Sequence, residues 1–471
     1  MAEEFILDCK VDQPHVLAGK SEDLYALVTI RPNIAKLGPL LETTTATPLP
    51  AHLVVVVDVS GSMNSLIRDD PNARVVSRGT SDGRDVTFVE SSVPTRREVA
   101  QQVVERLAAQ INASDRMTLI AFDHLAYPLA SCVSGADARD LKTAVAELSN
   151  AGGGGTSMGR GFQAAINALG AAPIANGTSK VVVLTDGEDQ EPEFAVAQAR
   201  VLAEEHHVPI HAFGTGDCRG EFLTEICKTT MGGKFSHIKD DTDAERDLGA
   251  VLQAQKNILA TNVTLSLWLS PELFVRELYR TKPEVLYVGS MSPDASNCIV
   301  LPIEYMEKGS SYEFLFQTTL PAREAGRRFR IAKATLTYDI PALDVTQQKS
   351  EANIAVEYTV DAERAMLRIG EVRRVIAQAE VQRQVLFLQS KIDALNAGRG
   401  TEKDRTAVAK LIDLLIGKYE DFSDQANANS YRKMRDEFLA KGTISQEMLN
   451  RSLAASSKVE EAVGVVDIDD F

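Results

Sequence analysis

From Pro48 to Asp240 the chain alternates short β-branched runs with segments whose apolar residues recur every three or four positions. "HLVVVVD" predicts a strand buried on both faces, because four successive valines leave no polar side for water. A helix with Val99, Val103, Leu107 and Ile111 on one face comes next, then the strand "RMTLIAF" and a helix carrying Met158, Phe162, Ile166 and Leu169. The strand "KVVVLTDG", a helix through Phe194, Ala197 and Val201, and the strand "PIHAFGTG" complete the series. This order predicts a doubly wound α/β domain, a mostly parallel sheet with helices on both faces, over residues 48–258.

Outside this block the period changes. Between residues 259 and 360 the runs "NVTLSLWL", "EVLYVGS", "NCIVLPIEY", "SYEFLFQTTL", "RIAKATLTYDI" and "NIAVEYTV" are separated by Pro, Gly, Asn or charged turns and predict an all-β sandwich. Residues 1–47 hold two further strand-like runs, "EFILDCKVD" and "LYALVTIRP", too few for a stable sheet of their own. They are expected to pair with strands beyond residue 260, so that the α/β domain is inserted in the sandwich.

Residues 361–460 switch to helix. Val381, Val385, Leu388, Ile392 and Leu395 step by fours and threes, "AGRGTEKD" breaks the pattern, and "RTAVAKLIDLLIGKYEDF" resumes it. A helical hairpin or small bundle is expected, and the stripe is too short for a dimerising coiled coil. Residues 461–471 form an acidic tail ending "VVDIDDF".

Composition narrows the function classes. The chain has 471 residues, and 66 acidic against 50 basic side chains leave a net charge near −16, which disfavours nucleic acid and anionic membrane as partners. The start lacks a secretory pattern and no apolar run nears the roughly 20 residues of a membrane helix. The five cysteines form no CxxC pair, so disulfides and structural zinc are not expected. A cytoplasmic protein is the resulting expectation.

The chemistry lies where the valine run stops. In an open parallel sheet, ligand sites form beyond the carboxyl ends of the strands, and Asp58 sits at such an end with Ser60 and Ser62 behind it. "GGGGTSMG" brings Thr156 to the start of a helix, and "VVVLTDGED" ends a second buried strand at Asp186. Few carboxylates with several hydroxyls suit a hard cation: Mg²⁺ best, Mn²⁺ also, Ca²⁺ less well.

These residues resemble the von Willebrand factor A domain and its metal-ion-dependent adhesion site. That family's pattern is Asp-x-Ser-x-Ser after the first strand, a Thr in a Gly-rich loop, and an Asp before a Gly after a later strand. Asp58, Ser60, Ser62, Thr156 and Asp186 match it in order, over about 190 residues. The resemblance implies that an Asp or Glu of a partner protein completes the metal's ligands, as in a protein-interaction scaffold or adaptor of the bacterial cytosolic type. It also suggests AAA+ ATPases, kinase/phosphatase pairs or defence-system assemblies as partners. One departure is the polar excursion from Asn64 to Pro94, which reads either as a gating loop or as a surface insertion with a small hairpin. Asp69 and Asp70 lie too far along it to map onto a second cation site.

Other chemistries fit less well. "GGGGTS" lacks the phosphate-loop lysine, and "GTGDCRG" has the wrong glycine spacing for a dinucleotide site. His206, His207 and His211 read as helix-end and core histidines, and Cys218 and Cys227 lack an activating pattern. No catalytic residue is expected. Two alternatives remain: a self-assembling subunit whose tail residues Asp467, Asp469 or Asp470 enter a metal site, and a Mg²⁺-dependent hydrolase or enzyme regulator with Glu188 or Asp189 as base.

Overall fold

The computed structural model describes residues 4–43, 49–81, 84–174, 177–216, 218–238 and 257–458, with 243, 246, 247, 249–251 and 254. The chain divides into two compact units, one of residues 47–258 and one of residues 1–46 with 259–471. The tail called at 461–471, with Asp467, Asp469 and Asp470, lies outside the described residues.

The chain begins with β1 (Phe5–Val11), β2 (His15–Leu17) and β3 (Glu22–Pro32), then α1 (Ile34–Thr43). The sequence pattern did not indicate β2 or α1, the one too short for a period and the other broken by Pro39.

The second unit opens with β4 (Ala51–Asp58). It continues through a hairpin of β5 (Arg74–Ser81) and β6 (Arg84–Glu90), α2 (Arg96–Gln110), β7 (Arg116–Phe122), β8 (Ala126–Ser134) and α3 (Ala138–Glu147). Then come α4 (Met158–Ala171), β9 (Thr178–Thr185), α5 (Pro192–Glu204), β10 (Ile210–Thr215), α6 (Gly220–Cys227) and β11 (Lys234–Ile238). Its main sheet runs β11-β10-β9-β4-β7-β8. β4 pairs in parallel with both β7 and β9, so it is central and covered on both faces, which is why Val54–Val57 are all buried. The sheet is mixed, because β8 pairs antiparallel to β7 at the edge. β8 and β11 are strands that the sequence pattern missed: β8 carries few buried positions, and β11 is only five residues long. Helix α4 packs close at Gly161, where a Cβ would come within 2.7 Å of Val56 Cγ1.

Beyond residue 258 come β12 (Ile258–Leu269), β13 (Val275–Lys282), β14 (Leu286–Met291), β15 (Cys298–Glu307), β16 (Tyr312–Leu320), β17 (Arg328–Ile340) and β18 (Val345–Thr359). With β1–β3 they form two five-stranded sheets, β1-β3-β16-β13-β14 and β15-β12-β17-β18-β2. β3 pairs with β16 along nine residues, and β2 pairs in parallel with the end of β18. The two sheets touch where the Phe5 ring meets Tyr338 edge-on, 4.7 Å between centroids, and where Ser350 Oγ donates to Phe5 O. β13 is another strand the pattern did not reveal: "VRELYRTK" has four charged residues among its eight, yet it lies inside a sheet and buries Arg280.

The helices α7 (Ala362–Met366), α8 (Gly370–Asn396), α9 (Glu402–Asp421), α10 (Gln425–Lys441) and α11 (Gln446–Ser456) follow. This is more than a hairpin. α8 begins well before the Val381 stripe, and its Val372 and Ala379 pack on Leu27, Tyr279 and Leu315 of the first sheet. Gln382 bridges to backbone beside β14, accepting from Tyr287 N and donating to Val285 O. Its apolar stripe is thus buried within the unit. Among the described residues no helix is long and apolar enough to cross a membrane.

Candidate metal centre

The main sheet of the 47–258 unit changes direction at β4: β7 and β8 extend one way, and β9, β10 and β11 the other. Loops leaving the carboxyl ends of β4 and β9 diverge there and open a crevice. Asp58 ends β4 and is fully buried. Its Oδ1 accepts from Ser60 N at 2.9 Å, and its Oδ2 accepts from Thr185 Oγ1 at 2.7 Å.

Behind Asp58 the chain enters a short 3₁₀ turn, Gly61–Asn64, anchored by the buried Met63. The turn holds the Ser60 and Ser62 hydroxyl oxygens 3.1 Å apart. Gly61 N donates to Gly154 O at 3.1 Å, which joins this turn to the Gly-rich loop. Thr156 is buried on that loop, and its carbonyl accepts from Gln190 N at 3.0 Å, tying the loop to the segment after β9. Asp186 follows β9 directly and is buried; its Oδ2 accepts from Arg96 Nη1 at 3.0 Å. Its Oδ1 is buried with no hydrogen-bond partner among the described residues.

Two buried carboxylates so placed repel. Burial, and then the charge of Asp186, push the Asp58 carboxyl above the usual carboxylate range, against the lowering effect of its bonds to Ser60 and Thr185. Among the described residues no three His, Cys, Asp or Glu side chains gather as metal ligands. A cation here would therefore rest on hydroxyls as well as the two acids, and a hard divalent ion fits that donor set and the unpartnered Asp186 oxygen.

Four further residues shape the site and were missed in the sequence. Thr185 orients Asp58. Asp123, buried just beyond β7, accepts from Leu125 N at 2.8 Å and Gly154 N at 3.0 Å, and so pins the Gly-rich loop. It is a third acid directly after a buried strand, like Asp58 and Asp186, and that repetition was the available signal. Arg97 donates to Ala151 O and Val59 O, bracing the serine turn against the same loop. Arg96 and Arg97 open α2, where the helix dipole disfavours cations; a pair of arginines there implies local demand for positive charge.

The Asn64–Pro94 excursion is rooted on this site. Ile67 N donates to Pro94 O and Arg96 N to Ser65 O, and beyond that root β5 and β6 pair as an antiparallel hairpin. Asp70 accepts from Asn72 N and Ser91 Oγ, so it organises the hairpin base. Asp189 accepts from Met158 N at 2.8 Å, at the start of α4, and from Glu191 N, just before α5. His207, at φ 55°, turns the chain out of α5, and His211 is buried in β10. Cys218 and Cys227 are buried thiols.

The von Willebrand factor type A domain family matches residues 52–251. An uncharacterized protein of Synechocystis sp., sll0103, aligns over 246 residues at 25% identity, 50% of each chain. The calcium-activated chloride channel regulator 3A-1 of Mus musculus aligns over 166 residues at 25% identity, 35% of this chain and 17% of that protein. The chain thus spans half the length, or less, of these curated relatives. Among solved structures, a von Willebrand factor type A protein from Catenulispora acidiphila superposes with a TM-score of 0.73 at 17% identity, covering 98% of both chains. The ArnB paralog VWA2 from Sulfolobus acidocaldarius gives 0.56 at 16% identity, covering 96% of this chain and 98% of that one. Likeness at such identities concerns the fold. With the sheet order, the Asp-x-Ser-x-Ser turn at its switch point and the family match in agreement, residues 52–251 are a von Willebrand factor type A domain.

Proposed function

We propose that this domain is a metal-dependent protein-interaction module in which Asp58, Ser60, Ser62, Thr156 and Asp186 hold Mg²⁺, with Mn²⁺ as a substitute, and a partner's Asp or Glu completes the site. The observation that carries the reading is the buried Asp58–Asp186 pair, with Asp186 Oδ1 unpartnered among the described residues and, on the turn that follows Asp58, two hydroxyls 3.1 Å apart. Buried like charges are costly unless a cation offsets them. When bound, the ion supplies an electrophilic centre for an incoming carboxylate. The chain's own residues prepare it: Thr185 orients Asp58, Asp123 holds the Gly-rich loop, and Arg97 braces the serine turn.

A scaffold fits better than an enzyme, because both oxygens of Asp189, a candidate base, already accept from backbone, one from Met158 N at the start of α4 and one from Glu191 N just before α5. We read the two five-stranded sheets as a β-sandwich into which the domain is inserted, supported by the Phe5–Tyr338 and Ser350–Phe5 contacts between them. We read the setting as cytoplasmic, because the five cysteines are scattered along the sequence without a CxxC pair.

The test is calorimetric titration of the full chain with Mg²⁺, wild type against Asp58→Ala/Asp186→Ala, followed by capture from native lysate with Mg²⁺ or chelator. Mg²⁺ binding lost in the double variant, with a protein retained only by wild type in metal, supports the reading. Equal titrations and equal captures overturn it.

A further inference from the structure

Arg96 joins two of the loops that supply the site. Its backbone N donates to Ser65 O at 2.9 Å, just past the turn that carries Ser62, while its guanidinium reaches Asp186 Oδ2 at 3.0 Å. The ion pair is enclosed, with side-chain exposures of 16% for Arg96 and 0% for Asp186. Gly216, at φ 59° beyond β10, forms the seat: a Cβ there would lie 2.4 Å from Arg96 Nε and 2.5 Å from Cζ. The guanidinium therefore lies directly over backbone, in a place only glycine leaves open.

Helix stability does not explain this placement, since α2 begins at Arg96 and a cation in the first turn opposes the helix dipole. The Asp186 carboxylate is divided instead. One oxygen is taken by an internal cation, and the other is buried with no partner among the described residues.

We propose that Arg96 is an internal counter-ion that competes with the metal for Asp186, weakening metal binding while holding the metal-free site in shape. The inference rests on the metal reading above. A fixed guanidinium at hydrogen-bond distance from a ligand repels a second cation. In the metal-free chain the same charge offsets the repulsion between Asp58 and Asp186. Arg96 is thus a positioning residue that sets the metal concentration at which the domain becomes competent to bind its partner.

The experiment uses the full chain as wild type, Arg96→Met and Arg96→Lys, with Mg²⁺ titrated by calorimetry and thermal unfolding followed in chelator and in saturating Mg²⁺. Arg96→Met is expected to bind Mg²⁺ about tenfold more tightly, because a nearby like charge is gone. It should also unfold at lower temperature in chelator and recover in Mg²⁺, whereas Arg96→Lys stays near wild type in both. Should Arg96→Met fail to fold, Arg96→Gln removes the charge while keeping a donor for Asp186, and the same tightening is expected. Wild-type or weaker Mg²⁺ affinity in the uncharged variant, with binding intact in wild type, overturns the inference and leaves the metal reading standing. Absence of Mg²⁺ binding in wild type and uncharged variant alike overturns both.

Discussion

Thr185 Oγ1 donates to Asp58 Oδ2 at 2.7 Å, across the boundary between β9 and β4 where the sheet changes direction. The same hydroxyl accepts from Gly187 N at 2.9 Å. One side chain thus orients the buried carboxylate and fixes the Asp186–Gly187 turn.

Thr185→Val keeps the shape and removes both bonds. The variant is expected to lose about 1–3 kcal/mol of stability, since a buried donor and a buried acceptor are left unpaired. Its Mg²⁺ affinity should fall about tenfold to a hundredfold, the range for removing a group that orients a ligand. Denaturant unfolding in chelator checks the first expectation and calorimetry the second.

Asp58→Asn separates the cost of the site from its use. Burial and the neighbouring Asp186 charge hold the Asp58 carboxyl above its usual range, so its ionised form strains the metal-free fold. The neutral variant should be as stable as wild type in chelator, or more stable by about 1–2 kcal/mol. It should gain nothing from Mg²⁺, where wild type gains. Differential scanning calorimetry with and without metal reads both. A variant that melts well below wild type in chelator would show that the carboxylate is not a burden.

Asp123→Ala removes the acceptor for Gly154 N and Leu125 N. Two backbone donors left unpaired are expected to cost about 2–4 kcal/mol, and the Gly-rich loop should loosen before the sheet does. Hydrogen exchange at Gly154 and Ser157 should quicken, with the amides of β4 and β9 still protected.

His52, buried on β4, meets Thr118 Oγ1 through Nε2 at 2.9 Å. Burial, and next the positive charge of Arg116, lower its pKa from 6.5 to about 4. In the unfolded chain the ring takes up a proton near 6.5; in the fold it does so only near 4. Between these values the unfolded state holds more protons, so stability falls as pH drops through the window, by on the order of 2 kcal/mol. His52→Gln should flatten that part of the stability–pH curve, measured by urea unfolding from pH 7 to pH 4.

The sequence by itself determined the parts whose signal is local. Val54–Val57 declare a central strand because a strand covered on both faces has no polar side, and both neighbours of β4 are indeed parallel strands. The order Asp58, Ser60, Ser62, Thr156, Asp186 is readable because each residue follows a strand or precedes a helix that its own neighbours announce.

Tertiary structure decided what depends on residues far apart in the chain. β13, whose charges hide its strand character, is specified by β14 and β16 on either side. β3 draws its long register from β16, almost three hundred residues later. Arg96 and Asp123 look like ordinary charged residues until Asp186 and Gly154 are brought to them. Periodicity records how each residue meets water. It carries no record of which distant group satisfies a buried charge or amide, and that pairing is settled only when the loops converge at the sheet edge.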